Sequence, residues 1–207
     1  MSISNHQIII DFKAISPKDG DLFRGRKPAE IAVELERAGV WGLSVVTEPK
    51  HFGGSLELLR DIANSVNLPI IRKDFISTEQ DLHDTLEYGA THVLLICSMM
   101  DNIQELHNKS LELGLHPLVE VHTLEEMELA KSMGAQLIGI NNKDITILEK
   151  DSGTVDLTVE LIKAAPRDTF IISESGITNH LDAERAIAAG ANAVLVGTAF
   201  WIGDFEI

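Results

Sequence analysis

Short runs of β-branched and apolar residues alternate along this chain with longer stretches in which Leu, Ile, Ala and Met recur every three or four positions. The short runs predict strands at Ile8–Lys13, Gly42–Thr47, Pro69–Lys73, His92–Cys97, Pro117–Val121, Leu137–Asn141, Phe170–Glu174 and Ala193–Val196. The longer stretches predict amphipathic helices over residues 28–38, 55–66, 79–88, 101–112, 124–132, 156–165 and 180–189. Helix ends are punctuated by glycine, at Gly39, Gly89, Gly134 and Gly190, where a left-handed C-cap is easily adopted. Ser55, Thr78 and Thr123 stand at helix starts as caps, and Thr123 with Glu126 has capping-box spacing.

Strands that alternate with helices pair in parallel through crossover connections, and closing eight of them leaves no sheet edge. The expected fold is therefore a (β/α)8 TIM barrel, with residues 1–207 as one domain. The competing architecture, an open doubly wound sheet, usually carries a glycine-rich turn after its first strand, and Asp11–Gly20 lacks one. The tail Thr198–Ile207 is too short for a full eighth helix, so one flank of the barrel is expected to be thinly covered and open to a second copy of the chain.

Composition narrows the partners. The chain has 207 residues, 44% hydrophobic and 24% charged, which suits one folded domain with a sizeable core. A formal charge of −15 repels a phosphate backbone, so nucleic acid is an unsuitable partner. One cysteine, Cys97, allows neither an internal disulfide nor a cysteine metal cluster, and fits a reducing compartment. The eight histidines lack metal-ligand spacing, so no metal is expected. With no signal peptide and no apolar run long enough to span a bilayer, the expected location is the cytoplasm, away from membranes.

The informative charges stand at the C-terminal ends of the apolar strands: Asp11 and Lys13 on the first, Lys73 on the third, Glu120 and His122 on the fifth, Asn141 and Lys143 on the sixth, Glu174 on the seventh. In a barrel these ends converge on one mouth, where enzymes of this fold place their sites. Alternation along a strand sends Asp11 with Lys13, Glu120 with His122, and Asn141 with Lys143 to common faces. A single such charge reads as a strand end reaching water. Asp11, Lys13, Lys73, Glu120 and Glu174 together form a ring of mixed sign that can offset its own charge and is expensive unless it performs chemistry. His122 reads as a rim residue. Ser175 and Gly176 after the seventh strand, and Gly197 and Thr198 after the eighth, stand where barrels commonly hold a phosphate; Ser16 adds a hydroxyl after the first.

The strings Asp-Phe-Lys-Ala-Ile-Ser-Pro (11–17), Leu-Ser-Val-Val-Thr-Glu-Pro-Lys-His-Phe-Gly-Gly-Ser (43–55), Leu-Pro-Ile-Ile-Arg-Lys-Asp-Phe (68–75), Pro-Leu-Val-Glu-Val-His (117–122), Gly-Ile-Asn-Asn-Lys-Asp (139–144) and Ser-Glu-Ser-Gly-Ile (173–177) resemble the indole-3-glycerol-phosphate synthase family, in its order and over most of the chain. The resemblance implies closure of 1-(2-carboxyphenylamino)-1-deoxyribulose 5-phosphate to indole-3-glycerol phosphate, with loss of CO2 and water, by a cofactor-free carboxy-lyase of tryptophan biosynthesis. By position, Lys73 resembles the general acid and Glu120 the group assisting dehydration, with Lys13 pairing with the substrate. Asn141 and Glu174 match substrate-orienting positions, Ser16, Ser175, Gly176, Gly197 and Thr198 the phosphate site, and Phe52 and Phe75 aromatic positions beside the anthranilate ring. Asp11 and Lys143 stand where the family has glutamate and arginine, and seven residues rather than some forty precede Ile8. Two other readings remain at this stage: a repurposed paralogue that binds a phosphorylated ligand or serves as a partner subunit, and another phosphosugar enzyme such as an isomerase.

Overall fold

The computed structural model describes residues 3–143 and 153–207. The elements run β1 (Ile8–Phe12), β2 (Ile15–Ser16), β3 (Gly20–Asp21), α1 (Pro28–Ala38), β4 (Gly42–Val46), α2 (Pro49–Phe52), α3 (Leu56–Ala63), β5 (Ile70–Lys73) and α4 (Glu79–Glu87). They continue with β6 (His92–Ile96), α5 (Ile103–Glu112), β7 (His116–Val121), α6 (Leu124–Ser132), β8 (Leu137–Asn141), α7 (Asp156–Leu161), β9 (Phe170–Glu174), α8 (His180–Ala189), β10 (Ala193–Val196) and α9 (Thr198–Ile202). All eight expected strands are present within a residue or so of their predicted ends. They form a closed parallel barrel in the order β1-β4-β5-β6-β7-β8-β9-β10, with β10 returning to β1.

Strand alternation divides the apolar residues between two layers. Ile9, Ile71, Leu94, Ile96, Leu118, Leu137, Ile172, Ala193 and Leu195 point inward and fill the barrel below its mouth. Their neighbours, among them Ile8, Ile10, Phe12, Val93, Val119, Ile138 and Ile171, point outward against the helices. The caps follow the sequence: Ser55 accepts from the Leu58 N–H, Thr78 from Asp81 and Thr123 from Glu126. The Thr123 box is not reciprocal, however. Glu126 turns instead to the His122 N–H, 2.5 Å away.

Four short features were not expected. The β2–β3 hairpin follows β1, α2 follows β4, and 3-10 turns occupy Asn5–Gln7 and Cys97–Met99. The tail is also more substantial than its length implies. Its α9 is only five residues long, but Trp201 and Phe205 are buried against the outer layer. Trp201 meets Phe12 edge to face at 5.1 Å, and its indole N–H donates to the Asp11 carbonyl at 2.7 Å, fastening the mouth end of β1. No helix among the described residues is long and apolar enough to cross a membrane.

Candidate active site

The Arg72–Lys73 pair shows how the barrel sorts charge. Successive strand residues face opposite ways. Arg72 goes outward and is consumed structurally: its guanidinium donates to Thr47 Oγ1 (3.0 Å), the Asp81 carbonyl (2.8 Å) and Thr85 Oγ1 (3.2 Å), and pairs with Asp74 at 3.1 Å. Lys73 goes inward. Its Nζ lies 3.1 Å from Glu174 Oε2 and 3.9 Å from Glu120 Oε2. Residues from β5, β7 and β9 thus meet at one point above the apolar floor formed by Leu94 and Ile96.

Each carboxylate there is placed by its neighbours. Asp11 is buried and accepts from Ser44 Oγ of the adjacent β4 at 2.7 Å. Glu174 is fully buried; desolvation pushes its carboxyl up to about 7, with Lys73 opposing the rise and Glu120 and Asp11 adding to it. The space it occupies exists because β8 carries Gly139: a Cβ there would fall 1.8 Å from Glu174 Oε1. Neither oxygen of Glu120 accepts a hydrogen bond among the described residues, and Asn141 Nδ2 is likewise without a partner. Buried polar atoms left open in this way call for a partner that the surrounding side chains do not supply.

His122 lies between two carboxylates, with Nε2 3.5 Å from Glu120 Oε1 and Nδ1 3.5 Å from Glu126 Oε2. Burial lowers its pKa, but Glu126, Glu120 and Glu174 together raise it above the ordinary histidine value. It stands beside the cluster, with its side chain partly exposed.

Lys13 continues the inward face of β1 and holds its ammonium 5.5 Å from the centre of the Phe52 ring, within cation–π range. Phe52 is presented by α2, and α2 exists because Glu48 caps it. That carboxylate accepts from the backbone N–H groups of Lys50 (3.0 Å), His51 (2.7 Å) and Phe52 (3.1 Å), with Pro49 at the first helical position. Burial raises the Glu48 pKa, yet these donors bring it below the usual glutamate value. The turn after α2 packs so closely on β4 that a Cβ at Gly54 would lie 2.2 Å from the Val46 carbonyl.

Asp11, Lys13, Glu48, Phe52, Lys73, Asp74, Phe75 and Glu120 line one lobe of the resulting cavity. Glu48 and Asp74 were not singled out from sequence. The signal for Glu48 was the Glu-Pro step immediately after a strand, with Ser44, Val46 and Glu48 on one face.

A second, larger lobe of about 630 Å³ shares Asp11, Lys13 and Lys73 with the first. Its wall includes Ser16, Lys143, Ser175, Gly176, Gly197 and Thr198, so every expected phosphate position reaches it. Ser175 and Gly176 both adopt left-handed backbone, at φ +59° and +67°. The Ser16 hydroxyl is already engaged in its own turn, donating to Asp19 Oδ2 at 2.9 Å and accepting from the N–H of Asp19 and Lys18. Asn141 and Glu174 lie behind the walls: Asn141 Oδ1 accepts from the Lys143 N–H at 3.0 Å, and Glu174 reaches the cavity through Lys73.

A closed eight-stranded parallel barrel with its polar cluster and cavity at the C-terminal strand ends defines a (β/α)8 barrel of the enzyme type. The fold is shared with the N-acetylmannosamine-6-phosphate 2-epimerase of Clostridium perfringens, with a TM-score of 0.73 at 19% identity over 95% of this chain and 88% of that one. The family model for indole-3-glycerol phosphate synthase matches residues 2–204. Curated relatives named indole-3-glycerol phosphate synthase include that of Pyrococcus abyssi, 44% identical over 95% of this chain and 86% of its own length. That of Thermococcus kodakarensis is 45% identical over 93% and 85%, and that of Aliarcobacter butzleri 37% identical over 94% and 73%. The chain belongs to the indole-3-glycerol phosphate synthase family.

Proposed function

We propose that this protein closes the indole ring of indole-3-glycerol phosphate from 1-(2-carboxyphenylamino)-1-deoxyribulose 5-phosphate, and that Lys73 is its general acid. The observation that carries this reading is the Lys73 ammonium, held 3.1 Å from Glu174 and 3.9 Å from Glu120 where the two lobes meet. One lobe is lined by Phe52 and Phe75 and suits an aromatic ring. The other, with Ser175, Gly176, Gly197 and Thr198, suits a phosphate.

With the substrate spanning both lobes, its ketone lies at their junction. Lys73 protonates the carbonyl oxygen as the aromatic carbon bearing the carboxylate attacks the carbonyl carbon, forming the ring bond. Loss of CO2 restores the aromatic sextet. The new hydroxyl then leaves as water, taking a proton from Lys73 once solvent has recharged it, while Glu120 accepts the proton released from the neighbouring CH2, completing the indole. Lys13, on the Phe52 side, pairs with the substrate carboxylate before CO2 departs. Glu174 and Asn141, behind the walls, act on the substrate indirectly, Glu174 by holding Lys73 and Asn141 by holding the Lys143 N–H. No step calls for a cofactor.

Turnover is read as the appearance of indole fluorescence on adding the substrate. Lys73→Met keeps an unbranched side chain only one atom shorter and removes the proton donor. The wild type should develop signal, and the variant should lose at least roughly 10²-fold in kcat, as expected for removal of a general acid. Full activity in Lys73→Met overturns the assignment. Phosphate binding without turnover by the wild type would favour a repurposed barrel instead.

A further inference from the structure

Asn142 follows Asn141 and therefore leaves β8 on the opposite side, away from the barrel axis. It is buried, and its side chain is fully engaged. Nδ2 lies 3.0 Å from Ser173 Oγ, 2.9 Å from the Glu174 carbonyl and 3.0 Å from the Ser175 carbonyl. Oδ1 accepts from Thr158 twice, from its N–H at 3.1 Å and its hydroxyl at 2.9 Å. The Thr158 and Ser173 hydroxyls close the network at 2.7 Å, and the Asn142 N–H donates to the Glu174 carbonyl at 2.8 Å.

This network is anchored in β8 and α7 and grips β9 where its backbone turns left-handed. Serine does not adopt φ +59° without cost, and such a conformation persists only where its surroundings over-determine it. At this turn Asn142 supplies that constraint, drawing the carbonyls of Glu174 and Ser175 toward itself. Ser175 and Gly176 form part of the wall of the larger lobe, and Gly176 is itself confined: a Cβ there would sit 2.8 Å from the Gly153 carbonyl and 3.4 Å from the Asn142 Cβ.

We infer that Asn142 is a positioning residue. By holding the Ser175–Gly176 turn, it sets the affinity of the larger lobe for the substrate's phosphate group while leaving the ring-closing chemistry to Lys73 and Glu120. The inference rests on the reading above that this lobe receives phosphate.

The test uses the full-length chain with two readouts, calorimetric titration with inorganic phosphate and steady-state kinetics. Asn142→Ala should raise both the phosphate Kd and KM about tenfold, the worth of one buried hydrogen bond, with kcat changed less than about twofold. Asn142→Ser, which retains one donor, should recover part of the loss. Thr158→Val removes the hydroxyl that steadies Asn142 and, should Asn142→Ala fail to fold, supplies the same readouts with a smaller shift in the same direction. A purely structural role would lower the melting temperature and leave the phosphate Kd unchanged; that result in a folded variant overturns the inference alone. Wild-type protein that turns over substrate but binds no inorganic phosphate overturns the phosphate reading of the lobe and the inference with it.

Discussion

Gly139 is the position where the smallest change should do the most damage. Its Cβ, if present, would lie 1.8 Å from Glu174 Oε1, 2.9 Å from Glu174 Cδ and 3.4 Å from Leu118 Cδ1, whereas contacts under 3.0 Å essentially do not occur. In Gly139→Ala, therefore, the Glu174 carboxylate must move by more than an ångström. It is fully buried and paired with Lys73 at 3.1 Å, so it has no solvent to move into. Overpacking of this kind costs about 1–3 kcal/mol, and a displacement of about 1 Å in a reacting constellation lowers the rate about 10²-fold. For a chain of this size each kcal/mol lowers the melting temperature by roughly 2–4 °C. The expected variant is folded, melts about 5 °C lower by calorimetry, and retains about one hundredth of wild-type kcat. A double-mutant cycle on stability isolates the cause. In a Glu174→Ala background the added methyl meets no carboxylate, so the Gly139→Ala penalty should largely vanish. Wild-type kcat in Gly139→Ala, or additive penalties in the cycle, would refute the reasoning.

The buried Glu174 also governs pH dependence. Its folded value near 7 stands above the ordinary 4.5, so the native state binds the extra proton and stability is lost as pH rises between those values. Glu174→Gln should match the wild type near pH 4 and exceed it above neutrality by on the order of 3 kcal/mol in chemical denaturation, while losing activity; equal pH profiles would contradict this. Glu48→Ala removes the cap of α2, should cost about 1 kcal/mol, and should raise KM by releasing Phe52; an unchanged KM would sever the link between cap and ring. The wall of the larger lobe carries four lysines and three aspartates, a local excess of one positive charge on a chain of net −15. Screening from ~30 Å at 0.01 M salt to ~8 Å at 0.15 M hides the distant charge first, so kcat/KM for the anionic substrate should rise over that range rather than fall.

The fold was legible because periodicity is local. An eight-strand barrel follows from period-2 runs, helical spacing and glycine punctuation, and the strand ends were placed within a residue or so. The charged ring was legible for the same reason: once Lys73 and Glu120 stand at the ends of apolar strands, alternation decides which way each points. Arg72 and Lys73, adjacent and alike in charge, are separated by that rule alone. What sequence did not reveal depends on register between strands. Gly139 matters because it lies opposite Glu120 on one side and Ile172 on the other, two residues before Glu174, and no property of Gly139 announces that. Asn142 draws its importance from a backbone conformation at the end of the neighbouring strand, and Glu48 from a four-residue helix too short to carry a periodic signal. The tail's ten residues make only a five-residue helix, as their number implies, but Trp201 fastens it to β1 through Phe12 and one indole hydrogen bond, and Phe205 stacks on His180.

Charge bookkeeping at the mouth accounts for the burial of Glu174. Asp11, Glu120 and Glu174 face Lys13 and Lys73, a formal excess of one negative charge where an anionic substrate must bind. Exposing Glu174 to water would leave it ionised and the excess in place. Buried against Gly139, its carboxyl is pushed up to about 7 by desolvation, so near neutral pH its protonation relieves part of that excess. The same burial aims Lys73: with Glu174 fixed beneath it at 3.1 Å and Glu120 at 3.9 Å, the ammonium is held between two acceptors of unequal proximity. A glycine on one strand thereby sets the position of a carboxylate on the next, and that carboxylate sets both the charge of the cavity and the position of its proton donor.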